Sequence, residues 1–535
     1  MVMRGLLLLL TIPLAVGILF PLGALVGEAF SGTTPAGSFP TRRSSDLTPA
    51  GDVLGMLLSR PMLRAVGNTL WVGGLTALLS TILGGILAYT MTMTKAPGRK
   101  ALGLLFMVPL LAPSFMPAMG LVYLFGNYGL LFPTSLYGVP GLLAGGVLFT
   151  LPHTTLQLSL AFRTLDQRLL DAALLLGSGA ARRFRTVLLP HLRDALVNAL
   201  LIAFVLTVTD FGVPKLLGGN VPMLATEIYK YAIGLADFQR AALLSFWLMV
   251  PSLLAFGAYT LLSRRKEERA TPQALRIERN RGRDVFFGGL SWFIVAGMLA
   301  SIGAVVLASF VKAWPYDRAW TLEAYSLTSL SYGFAPVLNS LGLAFSTAVS
   351  GVLLAWVTSV LMTRHGPSVR PVGVLFHAAA LLPMAVPGTI LGLGFAMSLS
   401  GWEIFSGVWG NRLLVLFNTL VHLFTVGYLT LSTSLKTLPA TYEAAGLLLG
   451  RGYAYTTMRV LTPLCGRPLR ETFAYFFSNA LTTISALVFL YSPETITGAV
   501  AALQSLDAGY LASGAAMATI IFALNVAFRG LLIRN

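Results

Sequence analysis

Apolar runs of about 20 residues, the length that carries a helix across the hydrocarbon core of a bilayer, recur twelve times in this 535-residue chain. They lie near 5–27, 69–92, 101–125, 141–162, 195–217, 241–262, 285–311, 336–362, 372–398, 413–434, 470–490 and 510–528. Such a chain is expected to be an all-α integral membrane protein with about 12 transmembrane helices. Only 11% of its residues are charged, against about 25% in a soluble domain. The first run follows Arg4 and is longer than the roughly 7–15-residue core of a cleaved signal peptide, so it reads as a retained span.

The net charge of +17 could suit nucleic acid or a membrane protein whose inner loops collect Lys and Arg. The distribution decides. With the N-terminus inside, 27 of the 37 Lys and Arg residues fall in cytoplasmic segments. The reverse orientation breaks the positive-inside rule. The expectation is therefore a multi-pass membrane protein, both termini cytoplasmic, in contact with lipid and not with nucleic acid. The single cysteine, Cys465, excludes an internal disulfide framework.

Two landmarks occur twice. Asp171-Ala172-Ala173-Leu174-Leu175-Leu176-Gly177, with Val187 and Pro190 beyond, returns 273 residues later as Ala444-Ala445-Gly446-Leu447-Leu448-Leu449-Gly450 with Val460 and Pro463. Pro109 and Pro113 in the third run, with Gly120 beyond, return at an offset of 274 as Pro383 and Pro387 in the ninth, with Gly394. The chain thus divides into a first half, 1–263, a basic cytoplasmic linker, 264–283, and a second half, 284–535. Each half carries six spans, an even number, so the two are parallel repeats related by a pseudo-two-fold along the membrane normal. Residues 38–47, SFPTRRSSDL, resemble the in-frame translation of a common sequencing adapter and are excluded from fold reasoning; the alternative is an ordinary polar periplasmic loop. An uninterrupted genomic read through these codons would end the adapter view.

The repeated prolines each remove a backbone donor, and freed backbone groups at membrane depth are tolerated only against protein or a water-lined cavity. Pro109, Pro113, Pro383 and Pro387 are therefore candidates to line a translocation path, or else kinks that serve packing. Asp210, inside the fifth run, is expensive in lipid. It either faces the path or caps locally near the far end of its span. The matching region of the second half, around Asn479, is polar but uncharged.

The repeated joint is too short and too charged to span. Leu169, Ala172, Ala173 and Leu176 make one helical face, Gly177 permits a sharp turn, and Pro190 restarts a helix where its missing donor costs least. A small-residue face, duplicated, suits docking into another protein's groove better than lying on headgroups. The joint resembles the E-A-A, three residues, G, nine residues, I-x-L-P signature of binding-protein-dependent ABC importer permeases. Asp171, Ala172, Ala173, Gly177, Val187, Leu189 and Pro190 match it; in the second copy Glu443 stands one residue early, before Ala444 and Ala445, and Thr462 replaces the leucine.

The resemblance covers nearly the whole chain as two fused permease domains of type I importer fold, like the iron(III), thiamine and 2-aminoethylphosphonate group. It implies that both joints, Gly450 and Pro463 included, couple to a cytoplasmic ABC ATPase dimer that holds ATP and Mg, while a periplasmic solute-binding protein delivers a small solute. Ala225–Lys230 and Phe489–Pro493 look most like 2-aminoethylphosphonate permeases; ferric iron and thiamine are the alternatives. The chain itself has no G-x-x-x-x-G-K-[ST] loop and no metal-ligand spacing among His153, His191, His365, His377 and His422. It is expected to bind no cofactor and to catalyse nothing. An ion-coupled transporter would need intramembrane carboxylates or histidines for coupling, and Asp210 alone is a candidate. A membrane-embedded enzyme would need a catalytic constellation.

Overall fold

The computed structural model describes residues 2–31, 50–127, 129–132, 134–263, 273, 275–326, 332–364 and 370–533. The adapter-like stretch 38–47 and His365 lie outside them. Among the described residues the strands form one short antiparallel hairpin, Val311–Ala313 with Asp317–Trp320; nearly all the rest of the regular structure is helix.

Among the described residues, nine helices are long and apolar enough to cross a membrane, or eleven spans if each of two bent pairs counts as one. Two of the twelve expected runs, both interrupted by proline, are sharply bent. In the third run, Arg99–Leu111 and Phe115–Phe125 meet at 102°; in the ninth, Gly373–Met384 and Gly388–Ser398 meet at 110°. The prolines account for both bends. Pro109 and Pro383 sit in tight 3-10 turns, Val108–Leu111 and Leu382–Met384, and Pro387 is extended at the start of Gly388–Ser398. The eleventh run is helical only over Gly466–Thr482. Thr483 turns extended, and the backbone stays irregular until Gly498–Asp507. An apolar average measures lipid-compatible surface, not where the backbone remains helical.

Packing gathers the chain into two compact units that do not follow the sequence repeats. One holds Met1–Leu57, Ile228–Met249 and Glu323–Asn535; the other holds Leu58–Glu227 and Val250–Leu322. Each unit takes up the first helix of the other repeat. In the former, Val2–Ser31 lies on the second bent pair so closely that a Cβ on Gly394 would come within 2.8 Å of Pro21. In the latter, Arg281–Ala308 lies on the first bent pair, and a Cβ on Gly120 would overlap the Ser301 carbonyl. Both positions are glycine because a neighbouring backbone fills the space of a side chain, the usual device for close helix approach in membranes.

Inside each unit, hydroxyl and amide side chains join helices. Thr154 Oγ1 donates to the Ser80 carbonyl at 2.9 Å. In the other unit Thr425 Oγ1 donates to the Ala380 carbonyl at 2.7 Å, on the first arm of the second bent pair. Asn418 Nδ2 donates to the Ala486 carbonyl at 2.8 Å, in the irregular segment after Thr482. The latter two cover carbonyls that broken helices leave without a helical donor, as burial at membrane depth requires.

Candidate coupling site and translocation path

The first joint is the helix Gln167–Leu175, opened by Asp166, whose carboxylate accepts from the Arg168 N–H at 3.0 Å. It closes on Gly177 at φ +69°, with Gly177 N–H donating to the Leu174 carbonyl (2.9 Å) and Ser178 N–H to that of Ala173 (3.0 Å). The second joint, Thr441–Leu448, closes in the same way on Gly450 at φ +70°. There Gly450 N–H donates to Leu447 (3.0 Å) and Arg451 N–H to Gly446 (2.8 Å). This paired-bond terminus needs a left-handed residue, which glycine supplies without Cβ strain. After each joint the chain runs through a π-helical turn, Phe184–Leu188 and Thr457–Leu461. Each turn leads into a helix whose second residue is Pro190 or Pro463.

Both helix ends are apolar and bare. Leu175 and Leu176 are 89% and 82% exposed, and their counterparts Leu448 and Leu449 are 89% and 78% exposed. Ala172, Ala444 and Ala445 are also exposed, together with Asp171. Ala173, expected on the docking face, is buried instead. With apolar residues on nearly every side of a nine-residue helix, periodicity cannot say which stripe turns inward. The structure turns in Gln167, Leu170 and Ala173.

The two helices rest on different seats. Leu170 packs into a cluster of Ala88, Leu158, Phe162, Leu165, Leu188 and Leu192, joined by Leu275 of the linker. Glu443 occupies the position corresponding to Leu170. It is buried, with Oε1 3.0 Å from Arg364 Nε. The Arg364 Nη2 also donates to the carbonyls of Leu435 (2.9 Å) and Leu438 (3.0 Å), at the end of Gly407–Lys436. Arg364 thus locks the second joint to two membrane helices. Sequence reasoning counted it only as an inside charge; the signal was Glu443 standing one residue early.

Among the path candidates, Pro109, Pro113, Pro383 and Pro387 are all buried at the two bends. Asp210 follows Leu189–Thr209 and accepts from the Val213 N–H at 2.7 Å, and also from Gly212 N–H and the Ser114 hydroxyl. It therefore caps the short helix Gly212–Leu217 and ties it to the first bend, the local role allowed for it from sequence. Asn479 Nδ2 donates back to the Tyr475 carbonyl at 2.8 Å, within its own helix. His377 Nδ1 lies 3.1 Å from the Tyr428 hydroxyl and His191 Nε2 3.2 Å from the Ala161 carbonyl. His153 packs on Phe149, and His422 lies against Gly388 at the second bend. Among the described residues, no group of three or more His, Cys, Asp or Glu side chains could hold a metal ion.

This architecture of bent membrane helices and paired amphipathic joints defines a transport permease. Residues 80–268 match the family described as binding-protein-dependent transport system inner membrane component. The chain is 25% identical over 497 residues to the ferric transport system permease protein FbpB of Actinobacillus pleuropneumoniae, covering 87% of this chain and 70% of that one. It is 25% identical over 351 residues to the thiamine transport system permease protein ThiP of Brucella abortus, 62% of each chain. It is 28% identical over 217 residues to the molybdenum transport system permease protein ModB of Azotobacter vinelandii, 38% of this chain and 96% of that one. Over 80–268 the chain matches that family, and along most of its length it is similar to permease subunits of binding-protein-dependent ABC importers; it is a multi-pass membrane permease, with ATP hydrolysis the work of a separate subunit.

Proposed function

We propose that Gln167–Leu175 and Thr441–Leu448 are the seats of a cytoplasmic ABC ATPase dimer, each inserting its apolar tip into a groove of one ATPase subunit. ATP and Mg belong to that partner. The carrying observation is the matched exposure of Leu175 with Leu448 and of Leu176 with Leu449, at two helix ends closed by the same glycine geometry. Four large apolar side chains left bare at duplicated sites fit a protein partner. In this reading 1–263 and 284–535 are two permease domains joined by 264–283. The basic segments and both termini face the cytoplasm, and a periplasmic binding protein delivers cargo to the other side. A photo-crosslinker at Ala172 or Ala445, both exposed, should capture a nucleotide-hydrolysing subunit in native membranes; failure at both positions would end the proposal.

Closure of the ATPase dimer would move both joints and, through the two bends, switch a path lined near Pro109, Pro113, Pro383 and Pro387. Asp210 would hold the first bend's geometry. Asp210→Asn keeps a capping oxygen and should leave uptake near the wild-type rate, whereas Asp210→Leu should lower it sharply. A sharp loss in Asp210→Asn as well would give the charge a direct role.

The cargo is a small solute. For 2-aminoethylphosphonate, support comes from the convergence of the two segments that resemble its permeases: the rings of Tyr229 and Phe489 lie 5.9 Å apart within one unit. For ferric iron or thiamine, support comes from the relatives named above. Calorimetric titration of the partner binding protein with the three solutes decides between them.

A further inference from the structure

The linker does more than join two repeats. Of its described part, 273 and 275–283, the stretch before the helix at Arg281 lies across the start of the first joint within one compact unit. Gln167 N–H donates to the Gln273 carbonyl at 3.3 Å. The Gln167 side chain accepts from the Arg276 N–H at 2.9 Å and donates to Asp171 Oδ1 at 2.6 Å. These two partners fix the amide's orientation, since a backbone N–H can only give and an ionised carboxylate can only accept. Leu275 enters the apolar cluster that holds Leu170.

From there the contacts continue toward the first bend. Arg283 Nη2 donates to the Glu278 carbonyl at 2.7 Å, and Asn280 caps Arg281–Ala308 by accepting from the Arg283 N–H at 3.1 Å. Asp284 accepts from Asn280 N–H at 3.2 Å and from the backbone N–H of Lys95. Trp292 Nε1 donates to the Pro97 carbonyl at 3.1 Å. Lys95 and Pro97 belong to the turn that opens the first bent pair at Arg99.

We propose that residues 273 and 275–280 belong to a strap carrying displacement of the first joint to the first bent helix pair, with Gln167 as the positioning residue that links the strap to Asp171. The reasoning rests on the coupling role proposed for this joint. The test uses the full chain alone in lipid nanodiscs, so its failure leaves ATPase docking untouched, and failure of docking leaves it untouched in turn.

Residue-resolved amide hydrogen exchange is read at Arg276 and Lys95. Gln167→Glu sets two carboxylates against each other and should speed exchange at both amides about tenfold, the scale of losing a charge-assisted hydrogen bond. Adding Asp171→Asn turns that pair into donor and acceptor again, with the new carboxylate still accepting from Arg276, and should return both amides to the wild-type rate. Leu275→Ala, which loosens the strap without touching the polar pair, should speed both amides as well. Rescue by the swapped pair distinguishes positioning from bulk destabilisation. The proposal is overturned if Lys95 keeps its wild-type rate while Arg276 is released, if Arg276 never responds, or if the swapped pair rescues nothing.

Discussion

Two joints, of nine and eight residues, ended by glycines at φ +69° and +70° and tipped by similarly bare leucines, are held by opposite chemistry. The first sits on hydrocarbon, through Leu170, and is crossed by the linker. The second sits on a buried ion pair, Glu443 with Arg364. The linker follows the first repeat in the chain and reaches the first joint; the second joint has its own anchor in Arg364. What the repeats share is the surface offered outward and the turn geometry. What differs is the attachment inward, where each copy solves its own packing problem.

The largest effects should come from the shared surface. Leu175→Glu or Leu448→Glu should abolish co-purification of the ATPase while leaving the chain's thermal stability unchanged, because both side chains are almost fully exposed. If only one substitution does so, the outward surfaces are not equivalent and the comparison breaks there. Next comes the ion pair, at about a tenth exposure on each side chain. Glu443→Leu strands a buried guanidinium and should cost about 3–5 kcal/mol in thermal unfolding. Combining it with Arg364→Met should recover most of that, since apolar replacement of both partners is often neutral. Leu170→Ala, at the corresponding position of the first joint, should cost about 2 kcal/mol, a large-to-small change in a partly buried apolar site. A cost as large as that of Glu443→Leu would mean the two seats are energetically alike. The smallest effect tests sameness: Gly177→Ala and Gly450→Ala meet open space and should each cost about 1 kcal/mol through the left-handed backbone alone. Unequal costs would show that the termini are not the same device.

Much of this was legible in the chain. The doubled spacing gave the repeats, the prolines marked both bends, and the glycine of each joint proved to be the left-handed residue it had to be. The rest was hidden for physical reasons. Hydropathy does not report backbone course, so it gave neither the angles of over 100° at the bends nor the end of helix at Thr482. A short helix apolar on several sides does not declare its inward stripe, which is why Ala173 was placed outward. Arg364 and Glu443 lie 79 residues apart, and positive-inside bookkeeping explains an arginine there so well that no partner is sought. The sequence marks the linker only as a basic cytoplasmic segment, while its hold on Gln167 is made by backbone groups, which composition does not display.

On the docking proposed above, the four naked leucines at the joints carry a cost for biosynthesis. A chain inserted before its motor subunits arrive would present two sticky knobs to the cell's chaperones and proteases, the kind of signal by which orphan subunits are recognised. Assembly would mask both at once, so the same side chains that take hold of the partner would also let the cell match the number of permeases to the number of motors.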